Sequence, residues 1–271
     1  MDNMTDLMGN ARVSEVASDL VKNLREFIHK HHITHPEYCQ VVDFLQETAK
    51  QSEIPLLMDV FFESTVIDVT YQGRKGTENT VEGPYYVLGS PMLKPPYVLP
   101  QRKDEPGDVL FFFGSVRTTD GTPLGGSLVD MWQADAFGRY SHFNYTDVPF
   151  NLRGRFLTDS NGRFEVRTVV PAPYEIPKFG PTGALLNSLG RHAFRPAHLH
   201  LKLSHDRFEP LNTQVYFSGD RWLESDVADA VKGSLITKLE KRTEPAELRK
   251  RDFDRPYFVV SYDFVLQPWA G

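Results

Sequence analysis

The chain has 271 residues, 40% hydrophobic and 24% charged, enough apolar material for one large domain or two unequal ones. Its formal net charge of -6, with no basic face to neutralise phosphates, argues against a nucleic-acid partner. The single cysteine, Cys39, excludes an intramolecular disulfide and suits a reducing cytoplasm, and no apolar run reaches membrane-spanning length.

Met1 to Asn10 carry no basic-then-apolar signal, so a cytoplasmic protein is expected. Residues 12–70 read as helices. Val13, Val16, Leu20, Leu24, Phe27 and Ile28 recur at helical spacing, as do Tyr38, Val41, Val42 and Leu45 after Pro36. Cys39, in the second of these stretches and near no candidate base, is expected to be a small buried residue. A third segment, Ile54 to Val66, carries Leu57, Met58, Phe61 and Phe62 on overlapping faces and is too apolar for an isolated surface helix. The charged linker Gly73 to Asn79 ends the helical part.

Beyond about residue 85 the texture changes to short β-rich runs: Leu110 to Val116, Ser127 to Trp132, Arg153 to Thr158, Arg163 to Val170, His198 to Leu203, Thr213 to Phe217 and Tyr257 to Leu266. Asp120-Gly121, Asn161-Gly162 and Gly219-Asp220 supply tight turns between them. Such spacing predicts a β-sandwich or barrel rather than a parallel sheet with crossover helices. Ala136–Asn151 and the proline- and glycine-rich Pro171–Arg195 read as long irregular loops, a feature that often carries function. The expected fold is mixed and mainly β, with a helical N-terminal dimerisation or linker domain over residues 1–80 and a β-sandwich catalytic domain over 81–271.

The sharpest local signal is Arg195-Pro196-Ala197-His198-Leu199-His200. On a strand, residues two apart share a face, so His198 and His200 can present both imidazoles to one ion. Alone, the pair fits a metal site, a structural pair or a surface accident about equally. A two-His-one-carboxylate or cupin site wants a further acid or histidine downstream, where only His205 stands. His29, His31, His32 and His35 lie in the helical region as a solvated cluster; His142 and His192 are spare candidates in the long loops. A zinc or iron(II) hydrolase therefore stays open, as does a non-catalytic binding module.

Two tyrosines flank the long loops: Tyr140, in Trp132-Gln133-Ala134-Asp135-Ala136-Phe137-Gly138-Arg139-Tyr140-Ser141-His142-Phe143, and Tyr174, in Arg167-Thr168-Val169-Val170-Pro171-Ala172-Pro173-Tyr174. These runs, with Arg195–His200, resemble the intradiol ring-cleaving dioxygenases, the catechol and chlorocatechol 1,2-dioxygenases. Thr80-Val81-Glu82-Gly83-Pro84-Tyr85-Tyr86-Val87 and Asn212-Thr213-Gln214-Val215-Tyr216-Phe217 resemble further motifs of that family, in collinear order. The resemblance runs from the N-terminal helices to about Val231.

The resemblance implies a ferric ion, one per subunit, held by Tyr140, Tyr174, His198 and His200 with hydroxide as a fifth ligand. Hard Fe(III) suits phenolates, and only such a cation would keep phenols ionised at neutral pH. The family reaction takes a catechol and O2 to a cis,cis-muconate. Tyr174 would be displaced by substrate and act as one of its bases, Arg195 would stabilise developing negative charge, and Gln214 would position the substrate or hydroxide. Leu56, Asp59, Val60, Val81, Pro84 and Tyr85 fall where family members line the catechol ring. Tyr85 with Asp59 looks more like the chlorocatechol branch; a hydroxyquinol-cleaving member is the alternative. Family members pair through their N-terminal helices and hold a phospholipid between them, so a homodimer with bound lipid is expected. The apolar surplus of those helices points the same way.

Overall fold

A computed structural model of the chain describes residues 10–145 and 148–269. All but the last residue of the Met1 to Asn10 stretch, and Thr146 and Asp147 of the first long loop, lie outside the described residues. The chain divides into two compact units, Met1–Ser52 and Glu53–Gly271.

In the first unit, α1 (Ala11–His31) starts where the Asn10 side chain accepts from the backbone N–H of Arg12 at 2.9 Å and of Val13 at 3.4 Å. It stops at His32, whose left-handed φ of 51° lets the next N–H, of Ile33, return to the Ile28 carbonyl. For α2 (His35–Lys50), Glu37 reaches back to accept from the Thr34 N–H at 2.7 Å. The apolar stripes are where their periodicity predicts, and Val16, Leu20, Leu24, Phe27, Tyr38, Val41 and Leu45 are all exposed. Cys39 is also exposed, contrary to the expectation of burial, and its Sγ lies 3.7 Å from His35 Nε2, one turn away. Helical spacing puts the two side chains on one open face.

The second unit begins with α3 (Ile54–Met58), a single π-helical turn over Asp59–Glu63, and α4 (Ser64–Thr70). This is the expected third helical segment, and it groups with the β-rich residues although composition alone placed it before the boundary at residue 80. Leu57 and Val60 are buried there.

Two five-stranded sheets follow. The first has the order β1 (Tyr97–Val98), β5 (Arg163–Val169), β2 (Val109–Thr118), β12 (Tyr257–Leu266), β11 (Glu240–Arg242). The second runs β10 (Ile236–Thr237), β9 (Leu211–Phe217), β8 (His198–Ser204), β3 (Leu128–Gln133), β4 (Arg153–Leu157). One apolar cluster draws on both, with Leu110, Phe112, Val116 and Phe264 from the first and Val129, Met131, Leu199, Leu201 and Val215 from the second. Packing is close enough that a Cβ on Gly114, in mid-β2, would collide with the Phe164 ring.

Pro171–Arg195 is not an irregular loop. It holds β6 (Tyr174–Glu175) and β7 (Phe194–Arg195), paired antiparallel, with α5 (Pro181–Ser188) between them. Pro181 at the first helical position, and the Glu53 carboxylate accepting from Thr182 N–H at 2.9 Å, start a helix that the glycines hid. Ordering Tyr174 opposite Arg195 is the consequence that matters for function.

Candidate metal centre

Strand β8 has two uses. Leu199, Leu201 and Leu203 face the apolar core, so His198, His200 and Lys202 face the other way. Register sets their neighbours on that face: His200 lies opposite Trp132 on β3 and Gln214 on β9, and His198 lies opposite Tyr216. The indole stacks on the His200 ring at 4.6 Å, interplanar angle 11°.

The two Nε2 atoms are 2.9 Å apart, and Tyr140 Oη is 3.0 Å from His200 Nε2. His198 Nδ1 stands 2.7 Å from the Pro196 carbonyl, which fixes that nitrogen as the protonated one and leaves Nε2 a free lone pair. Tyr174 meets Tyr140 edge-on, ring centroids 5.3 Å apart, and lies 5.7 Å from the His198 ring. The Tyr140 loop is shaped by Asp135, which accepts from the N–H groups of Phe137 and Arg139 at 2.9 and 3.0 Å and from Arg102 at 2.8 Å. Gly138, at φ 76°, lets that loop lie against β6, since a Cβ there would stand 2.8 Å from both Pro173 O and Tyr174 Cβ.

Beside these four side chains lies a buried polar cluster. Arg195 donates through Nε and Nη2 to the two oxygens of Asp226, each at 3.0 Å, and through Nη2 to Gln214 Oε1 at 2.9 Å and Tyr216 Oη at 3.0 Å. Gln214 Nε2 donates to the Val81 carbonyl at 2.7 Å and faces His200 Nδ1 at 3.2 Å. Asp226, Tyr216 and Gln214 are each no more than 2% exposed.

Burial, then the Arg195 charge, pushes His198 down to about 3. Burial and then His198 hold His200 well below the usual imidazole range. Both phenols move up, Tyr140 through burial and the neighbouring Tyr174, and Tyr174 through burial against the opposing pull of Arg195. The protein alone thus presents two neutral imidazoles and two un-ionised phenols, a donor set without charge.

That set fits a hard trivalent cation. Two ligand atoms each ~2.1 Å from one ion, at about a right angle, stand ~3.0 Å apart, close to the separations of 2.9 and 3.0 Å seen here. Without an ion the Tyr140–His200 contact is a hydrogen bond, His200 Nε2 accepting from the Tyr140 O–H; a trivalent cation bound among these atoms would replace that proton and ionise the buried phenols. Among the described residues no group of three or more His, Cys, Asp and Glu side chains could hold a metal ion. The two-His-plus-acid arrangement is therefore not built here. His142 accepts from Phe150 N–H at 3.2 Å, and His192 contacts Ser225 Oγ at 2.8 Å.

Of the expected wall residues, Leu56, Val60 and Tyr85 join one apolar cluster with Trp132, Tyr140 and Tyr174, and Tyr85 stacks on Tyr140 at 4.4 Å. Val81 enters through its carbonyl, while its side chain packs with Ala228 and Ala230. Asp59 is half-buried, its carboxyl raised by desolvation, and Pro84 is exposed. Sequence reasoning missed Asp226, Tyr216, Trp132, Arg153 and Glu63. Glu63 alone had a signal, as a second acid on the apolar run that carries Asp59. Burial, then Asp59, pushes its carboxyl up to about 7, and Oε2 is buried without a partner.

Comparison with known proteins places the chain in a family. A family model described as Dioxygenase matches residues 81–268, and one described as Catechol dioxygenase N terminus matches residues 10–78. A chlorocatechol 1,2-dioxygenase of Rhodococcus opacus is 41% identical over 264 residues, covering 96% of this chain and 99% of the relative. The crystal structure of 3-chlorocatechol 1,2-dioxygenase from Rhodococcus opacus superposes with a TM-score of 0.86 at 42% identity, over 95% of this chain and 98% of that one. Hydroxyquinol 1,2-dioxygenase from Pseudomonas putida gives 0.87 at 32% identity, over 96% and 93%. The chain belongs to the intradiol ring-cleavage family of catechol and chlorocatechol 1,2-dioxygenases, and is an oxidoreductase of that family.

Proposed function

We propose that the enzyme opens catechol or a chlorinated catechol with O2 between the two hydroxyl-bearing carbons, giving a cis,cis-muconate in the breakdown of aromatic compounds. The observation that carries this reading is the convergence of His198 Nε2, His200 Nε2 and Tyr140 Oη, with Tyr174 edge-on beside them. Tyr140, Tyr174, His198 and His200 would hold Fe(III), which when bound lends the catecholate ring the reactivity toward O2 that it otherwise lacks.

The remaining work falls to the protein. Tyr174 Oη, ionised once the cation is bound, would take a proton from one substrate hydroxyl, its basicity raised by burial against the opposing pull of Arg195. Arg195, fixed in place by both oxygens of Asp226, presents positive charge where the ring and its oxygens become negative, in a site closed to bulk water. Gln214 is held by Arg195 and Tyr216 on one side and by Val81 on the other, so it keeps a fixed orientation beside His200. Leu56, Val60 and Tyr85 form the apolar wall against the ring and Asp59 and Pro84 complete the lining, while Val81 contributes its carbonyl to Gln214. Tyr85 with Asp59, and relatives named for chlorocatechol, favour the chlorocatechol branch over hydroxyquinol.

We also read the two sheets as the layers of a β-sandwich, supported by the apolar cluster that both supply. The exposed stripes of α1 and α2 are read as the contact of a homodimer, with phospholipid as a further occupant of that surface. Among the described residues no helix is long and apolar enough to cross a membrane, and a cytoplasmic location is proposed.

Product analysis of iron-loaded enzyme with catechol, 4-chlorocatechol and hydroxyquinol tests the reaction. A muconate by mass and ultraviolet spectrum is expected, together with a visible phenolate-to-iron band. A yellow ring-opened semialdehyde would refute the proposed ligand set.

A further inference from the structure

Arg153, on β4, is only 1% exposed and has no part in the chemistry assigned above. Its guanidinium donates to neutral oxygens of two separate segments. Nε reaches Ser141 Oγ at 2.9 Å, Nη2 the Ser141 carbonyl at 3.0 Å, and Nη1 the Tyr85 carbonyl at 2.6 Å. Ser141 follows Tyr140 directly in the chain, and its hydroxyl is itself pinned by donating to the Asn151 carbonyl at 2.9 Å. The two residues thus clamped together are neighbours in space, because the Tyr85 and Tyr140 rings stack at 4.4 Å with an interplanar angle of 17°. Arg153 Cζ lies 5.8 Å from the centroid of the Tyr140 ring.

Burying a guanidinium against neutral acceptors is costly, and burial draws Arg153 down to about 10. An apolar residue would fill the space at less cost. What the guanidinium alone offers is a rigid planar fork of five N–H donors, able to span three acceptors on two segments at once. A lysine keeps the charge but presents its donors from a single point.

We propose that Arg153 is a positioning residue that sets the ring of Tyr85 relative to the phenol oxygen of Tyr140, so that one guanidinium registers the seat of the substrate ring against a metal ligand. The inference rests on reading Tyr140 as an iron ligand and Tyr85 as a wall of the substrate seat. Two segments 55 residues apart in the chain, Tyr85 and Tyr140, meet at this clamp, and loosening it moves both at once.

The test uses the iron-loaded full chain and compares Arg153→Lys and Ser141→Ala with the wild type in three readouts: the visible phenolate-to-iron band, KM and kcat for catechol. Arg153→Lys is expected to retain iron, shift or broaden the band, and raise KM by ~10-fold or more with a smaller change in kcat, because misplacement by a fraction of an ångström is enough to disturb a seat of this kind. Ser141→Ala, which removes one of the three acceptors, should move band and KM in the same directions by less. Adding Tyr85→Ala to Arg153→Lys should raise KM by less than the product of the two single effects, since the guanidinium acts in part through that ring. A folded Arg153→Lys with wild-type band and KM overturns the proposal, and so do effects that multiply independently in the double variant. If Arg153→Lys does not fold, Ser141→Ala with wild-type band and KM overturns it unaided. An iron-loaded wild type without any visible band would instead refute the reading of the tyrosines as ligands.

Discussion

Replacing Asp226 by Asn keeps the shape of the side chain and removes its charge, which isolates what the carboxylate does for Arg195. In the folded protein one carboxylate oxygen accepts from Arg195 Nε at 3.0 Å and from Ala228 N–H at 3.3 Å; the other accepts from Arg195 Nη2 at 3.0 Å and Ala230 N–H at 3.2 Å. An amide can serve only one of these pairs. Its NH2 group would face two donors on the other side, whichever way it is flipped. Two buried donors lose their acceptor, at ~1–3 kcal/mol each, and Arg195, 3% exposed, is left as a buried cation without its carboxylate. A loss of ~3–5 kcal/mol is therefore expected, the range for breaking one side of a buried pair. For a unit of this size that corresponds to a fall in Tm of roughly 6–20 °C. Circular dichroism melts and urea titration at pH 7 read it. The pH dependence has a definite sign. Burial raises the Asp226 carboxyl, but Arg195 more than offsets this and holds it below the usual range, so its contribution is complete above the unfolded carboxylate pKa of ~3.9 and fades as pH falls through the lower folded value. Variant and wild type should converge only in strong acid. A variant within ~1 kcal/mol of wild type at pH 7 would refute the view that this pair fixes Arg195.

Tyr174→Phe should keep much of its iron while losing part of the visible band and binding catechol poorly under anaerobic titration; His198→Ala should lose iron more readily, and Tyr140→Phe should disturb the substrate complex as well. A wild-type spectrum and rate in Tyr174→Phe would exclude that residue from the metal. Glu63, pushed up to about 7 by burial and by Asp59, is uncharged when folded at pH 4.5 and below and is forced to ionise as pH rises toward 7, so it subtracts stability across that window and above. Glu63→Gln should gain Tm relative to wild type at pH 8 and not at pH 4; an equal difference at both values would contradict this. Sedimentation at micromolar protein should give a dimer, and Leu20→Glu with Leu24→Glu, which put charge on the exposed stripe, should yield monomers; a wild-type monomer would remove the reading of α1 as a contact surface.

Strand phasing was open to sequence reasoning because it follows from local alternation. The expected Tyr257–Leu266 strand coincides with β12, and the His198/His200 pair shares a face as a period of two requires. Tyr140 and Tyr174 were not identifiable from spacing, since nothing local distinguishes them from the other nine tyrosines; only the family resemblance singled them out. The Pro171–Arg195 segment misled because glycine and proline mark loops on average, yet proline at a first helical turn and glycine where backbone passes close by are compatible with α5. Asp226 lies 31 residues from Arg195 in a stretch with no periodic signal, so their pairing is a product of tertiary closure alone. Burial of Cys39 was inferred from residue type, and exposure won because α2 has more apolar positions than its own unit covers.

The division of labour along β8 constrains how such an enzyme can change its substrate. Leu199, Leu201 and Leu203 are committed to the shared core and His198 and His200 to the proposed donor set, so a one-residue slip would turn imidazoles into the core and leucines toward the site. From 198 to 203 only Lys202, paired with Glu82, stands outside both commitments, so the strand offers little room for preference to drift without loss of fold or metal. Latitude for new ring substituents must come from parts that touch the site without building the sheet, namely the helical turn bearing Leu56 and Val60 and the segment bearing Tyr85. Descendants of this chain that accept a bulkier or more polar ring should differ there first, and keep β8 unaltered.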